Sequence, residues 1–214
     1  MSHAVVAAVD VGSLANIGWW RAFGNDAGGG RDLDELVEVL AADLNQHRSV
    51  ALGFEAPIFV PLPAEAVGLC RQRVGEQGRP WSAGAGTGAL ALGVQQDAYV
   101  FAGLARQVAT RPRISFDPRQ LDGSETTLVV WEAFVSAKAK NRAAVDPHVD
   151  DARVAVEEFL ERLSNGLVHS DIDEPSVLNL AAAALLASGL SADVGLLTQE
   201  AIVVRAPDHI ASTT

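Results

Sequence analysis

The chain has 214 residues, 49% of them hydrophobic and 20% charged, which is enough apolar material for a buried core and excludes a disordered chain. Its 16 basic and 27 acidic residues give a formal charge of −11. That balance disfavours a nucleic-acid coat protein or a polybasic membrane binder.

The one cysteine, Cys70, excludes an intramolecular disulfide framework and fits a reducing, cytoplasmic setting. No apolar run approaches the roughly 18 residues of a membrane span. The start, Met1 to Val9, lacks a basic n-region and is interrupted by Asp10, so a signal peptide is not expected.

Ala4 to Val9 is a continuous apolar run, the pattern of a strand covered on both faces. Ile17 to Phe23 reads as a second strand, with Trp19 and Trp20 on opposite faces, and Gly24 to Gly30 reads as a loop. Asp32 is placed to cap a helix, with Glu35 in capping-box position and Leu33, Leu36, Val37, Leu40, Ala41 and Leu44 at helical spacing. Val50 to Glu55 is another apolar strand.

Residues 58–125 are the least regular part and read as a large insertion within a single domain, 1–214. Within it, Ala89 to Val108 patterns weakly as a helix and the GAGTG run at 84–88 as a flexible turn. Thr126 to Phe134 reads as a strand. Asp146 and Pro147 read as an N-cap and first helical position. An apolar helix is expected from Pro175 to about Ser188, ended by Gly189. Ala201 to Arg205 reads as a short last strand and the tail after Pro207 as frayed. The alternation argues for an α/β domain with a mixed central sheet flanked by helices.

Charge is unevenly spread. Residues 71–119 carry seven arginines against three acids. Arginine forks suit phosphates, so Arg71, Arg73 and Arg79 are candidate substrate contacts; the same residues could equally pair with acids of the fold. Trp81, between them and the glycine run, is the tryptophan best placed to stack on a base.

Three acids interrupt three apolar strands: Asp10 in AVVAAVDVG, Glu55 in VALGFEAP and Glu132 in TLVVWEAFV. A carboxylate in a buried strand is costly without a partner. Either each pairs locally, or they converge and need a cation between them; Mg²⁺ or Mn²⁺ suits an all-oxygen cage. Asp151, in the first turns of a helix with His148, could join them or could simply complement the helix dipole.

VDVGS, FEAP, WEAF and the HVDDA helix start together resemble the ribonuclease H-like superfamily, HVDDA being similar to the metal-binding helix of RuvC-type resolvases. The resemblance, to a family of predicted nucleases, spans most of the chain in short motifs. It implies a ribonuclease H-like sheet in which Asp10, Glu55, Glu132 and Asp151 hold Mg²⁺ or Mn²⁺ and His148 assists as acid or base in phosphodiester hydrolysis. The Arg-rich insertion would then contact nucleic acid. If the Pro175 helix is instead the superfamily's last helix, the fourth ligand position falls on Asn179 and the protein would be a degenerate binding or regulatory relative. VDVGS also resembles the first phosphate loop of actin-like sugar kinases, which implies a nucleotide-using phosphotransferase; those proteins duplicate the domain, and 214 residues leave little room for two copies.

Overall fold

The computed structural model describes residues 4–76, 78, 80–135, 144–166 and 168–207. It is an α/β protein built on a mixed seven-stranded sheet. Val5–Asp10 (β1), Gly18–Phe23 (β2) and Asp26–Gly30 (β3) form an antiparallel meander. Helix α1, Leu33–Asn45, then leads to Val50–Phe54 (β4), which pairs with β1 in parallel. After the short Phe59–Pro61 strand (β5) come the long helix Ala85–Gln107 (α2) and Arg113–Ser115 (β6).

Thr127–Phe134 (β7) lies parallel beside β4. The remaining elements are Pro147–Ser164 (α3), Val177–Asn179 (β8), Leu180–Ala187 (α4) and Val203–Arg205 (β9). The sheet order is β3-β2-β1-β4-β7, with β6 and β9 pairing respectively with the first and second halves of β7. β5 and β8 form a separate antiparallel pair.

The central strands are buried on both faces, which is why their sequences are apolar throughout rather than alternating. Val9, Phe54 and Val130 belong to one core, which also takes residues of α1, α2 and α4. Ala8, Ala51 and Trp131 point to the other, which is closed by α3. Trp131 stacks on Phe159 of α3 at 4.5 Å between centroids, and its indole occupies the space over Gly53, where a Cβ would stand 2.4 Å away.

Several boundaries depart from the sequence reading. Residues 26–30, expected as loop, are a strand. Gly28–Gly30 pair with β2 through backbone alone, and a Cβ on Gly29 would meet the Trp19 carbonyl oxygen at 2.3 Å. The glycine run is not a flexible turn beyond Gly84, whose φ of 57° precedes α2. Gly86 and Gly88 are helical, and Gly86 lets the helix lie against the Pro80 carbonyl, 2.5 Å from where its Cβ would be.

The apolar helix starts at Leu180, not Pro175, because Asn179 caps it by accepting the Ala182 N–H at 2.8 Å. Of the stretch 58–125, α2 packs against α1 and α4, and β6 extends the main sheet. Among the described residues, no helix is long and apolar enough to cross a membrane. The expected frayed tail falls largely outside the described residues.

Candidate functional site

β1 delivers Asp10 to the C-terminal end of the parallel strands, the edge at which open α/β sheets commonly bind ligands. Asp10 pairs in register with Gly18 of β2. A Cβ on Gly18 would stand 2.4 Å from the His148 carbonyl carbon and 2.5 Å from the Val149 nitrogen. The bare glycine therefore allows the first turn of α3 to rest on the sheet beside Asp10. The chain enters that turn as the sequence predicts: Asp146 caps it, accepting the His148 and Val149 N–H groups, and Pro147 follows.

His148 and Asp151, three residues apart, share the helix face turned to the strand end. His148 Nδ1 lies 2.5 Å from Asp10 Oδ2. One donor atom each from Asp10, His148 and Asp151 lie within 4.8 Å of one another. Asp10 and Asp151 are 4% and 3% exposed, whereas the His148 side chain is 30% exposed and opens the cluster to solvent.

Glu55 follows Phe54, the parallel partner of Val9, and its N–H donates to the Val9 carbonyl at 2.8 Å. It thus stands level with Asp10 on the neighbouring strand. Its carboxylate is not among the three donors that gather there; it lines a cavity with Arg73, Glu76 and Glu132.

Glu132 does not join this cluster. Leu128 and Val130 place it on the opposite face, where Arg73 grips it with two bonds, Nη1–Oε2 at 2.7 Å and Nη2–Oε1 at 2.6 Å. It also accepts the Ile58 N–H at 3.1 Å. Arg73 is 1% exposed and further bonded to Glu76 Oε1 at 2.8 Å and the Phe59 carbonyl, so it is closed to a phosphate.

Arg71 is paired with the buried Glu174, Arg113 with Glu125 and Arg119 with Asp117. Much of the arginine-rich stretch therefore neutralises the fold's own acids. Arg79 lies outside the described residues. Asn179 is fully buried and occupied by its cap and by the Gln199 carbonyl, which its amide reaches at 2.8 Å. It is a structural residue.

Two buried acids had no signal as site residues. Glu76 lies in the irregular stretch. Asp97 sits at a helical position of α2 among apolar neighbours and is 1% exposed. Burial, and then the nearby Glu132 charge, hold its carboxyl well above the usual carboxylate range.

Two carboxylates and one imidazole are a donor set that several divalent ions accept, and it does not identify one of them. In the Nδ1–H tautomer His148 donates to Asp10, and its other ring nitrogen stays available. In comparisons with protein-family models, curated proteins and solved structures, nothing matched this chain.

Proposed function

We propose that the protein is a divalent-metal-dependent nuclease or phosphodiesterase on a ribonuclease H-like scaffold. The observation that carries this reading is the Asp10–His148–Asp151 cluster, formed where the end of β1 meets the first turns of α3. The antiparallel meander continuing into parallel β1, β4 and β7, with α3 on the face opposite α1 and α2, accords with it.

Asp10 and Asp151 would hold Mg²⁺ or Mn²⁺. Such an ion lowers the pKa of bound water and stabilises a leaving oxygen in phosphodiester cleavage. In the tautomer with its hydrogen on Nδ1, His148 donates to Asp10 and Nε2 carries the lone pair. From its half-open position that nitrogen would take a proton from the attacking water, and the imidazolium so formed would give it to the departing oxygen.

The test is cleavage of single- and double-stranded DNA and RNA with Mn²⁺ or Mg²⁺. Activity in the wild type and its loss in Asp10→Asn are expected. A wild type that cleaves none of them with either ion overturns the reading. A second reading, a non-catalytic binding or regulatory protein, is favoured by the commitment of Glu132 to Arg73 and by the absence of Glu55 from the cluster, which holds two of the four acids the resemblance implies.

A further inference from the structure

Asp10 and the first turn of α3 come to the cluster from distant parts of the chain, and one side chain outside it touches both approaches. Arg31 lies between β3 and α1, and its backbone is fixed on either side. Gly30 pairs with Trp19 of β2, and the Asp32 carbonyl accepts the Trp19 indole N–H at 2.8 Å. From there the guanidinium donates through Nη2 to the Ala15 carbonyl and through Nε to the Ile17 carbonyl, the latter at 3.2 Å. Both carbonyls belong to the end of the loop that leaves Asp10. That loop is folded tightly on itself: the Asn16 N–H donates to the Ser13 carbonyl at 2.7 Å, and a Cβ on Gly12 would stand 1.9 Å from the Asn16 carbonyl oxygen. Gly18, next after Ile17, pairs with Asp10 and lets the first turn of α3 rest on its bare Cα.

The same guanidinium faces the helix. Arg31 Nε stands 3.8 Å from Asp146 Oδ2, while Asp146 Oδ1 accepts the His148 and Val149 N–H groups at 3.2 and 3.3 Å. Asp146 therefore turns one oxygen to the cap and the other to Arg31. The Arg31 and Asp146 side chains are 44% and 32% exposed, so their pairing adds little to global stability. Nor does Arg31 favour α3 by its charge, because a cation beside a helix N-terminus opposes the helix dipole. Its planar fork instead holds two segments of backbone in a set geometry.

We infer that Arg31 is a positioning residue of the proposed metal site: it links the loop leaving Asp10 to the cap of α3 and so sets how closely His148 and Asp151 approach Asp10. The inference rests on the metal-dependent reading for its purpose, whereas the link itself is a property of the metal-free chain.

Two measurements on the full chain separate the link from the metal. The first is amide hydrogen exchange without metal. Arg31→Met is expected to speed exchange of the His148 and Val149 amides about 2- to 5-fold while leaving those of β4 unchanged. The second is Mn²⁺ binding, followed by the free-ion signal in electron paramagnetic resonance. Arg31→Met is expected to raise the Mn²⁺ dissociation constant about 10-fold, the lower end of the loss when support behind metal ligands is removed. Arg31→Lys keeps the charge opposite Asp146 but not the fork across Ala15 and Ile17, so it should fall between wild type and Arg31→Met in both measurements. Should Arg31→Met fail to fold, Arg31→Lys carries the test, and a lysine variant equal to wild type in both measurements overturns the inference.

Unchanged or slower exchange at His148 and Val149 in a folded Arg31→Met overturns the link, slower exchange being what relief of the dipole alone would give. Mn²⁺ binding that is equally tight in wild type and Arg31→Met overturns the positioning role and upholds the metal site. Faster exchange in Arg31→Met with no Mn²⁺ binding by the wild type upholds the link and overturns the metal reading.

Discussion

Arg73→Met removes the cation shared by Glu132 and Glu76 and leaves both carboxylates buried, each 1% exposed. Burial alone would not make the wild-type trio a net stabiliser, because desolvating the ions offsets much of their attraction. Removing one partner is different: the remaining charges keep their desolvation cost and lose the attraction, a loss of about 3–5 kcal/mol. For a chain of this length each kcal/mol moves the melting temperature by about 2–4 °C, so a fall of about 6–20 °C is expected. Arg73→Met/Glu132→Leu should recover part of it. Glu76 keeps the backbone N–H groups of Arg73 and Trp81, while the charge on β7 is gone. Thermal unfolding followed by circular dichroism measures both. An Arg73→Met melting temperature within about 2 °C of wild type, or a double variant less stable than the single one, would refute the assignment of Arg73 as a buried counter-ion.

Further outcomes follow from the same geometry. Asp97 retains its proton in the fold over a pH range where the unfolded chain has released it, so it costs stability as pH rises above about 4. Asp97→Asn should therefore gain on wild type at pH 8 relative to pH 5; a pH-independent difference would contradict this. Gly18→Ala should push the first turn of α3 off β2, at a cost of about 1–3 kcal/mol in unfolding experiments, and weaken any Mn²⁺ response. Asn179→Ala loses a helix cap and should cost about 1 kcal/mol in denaturant titration while leaving the Mn²⁺ response intact; loss of that response would return Asn179 to the site.

The sequence was most legible where one physical rule acts alone. Unbroken apolar runs marked β1, β4 and β7, and the Asp146-Pro147 start of α3 formed as its residues require. Those two features bring Asp10, His148 and Asp151 together. The face of each strand could not be read from the same runs. A strand buried on both sides has no alternation, so nothing in TLVVWEAF tells whether Glu132 shares a side with Asp10.

β3 was hidden because glycine pairs by its backbone and leaves no side-chain pattern. The fate of the arginines depended on contacts between distant segments, such as Arg71 with Glu174. Asp97 sits where its helix packs, and residue type alone does not report that burial.

Thermal unfolding with increasing Mn²⁺, run in parallel on wild type, Asp10→Asn and Asp151→Asn, bears most directly on the shared acidic cluster. An ion at one hundred times its dissociation constant adds about 2.7 kcal/mol, or about 5–11 °C here. The account predicts a saturating rise in the wild type that is lost in both variants. A wild type whose melting temperature does not respond to Mn²⁺ or Mg²⁺, or variants that respond equally, would contradict it.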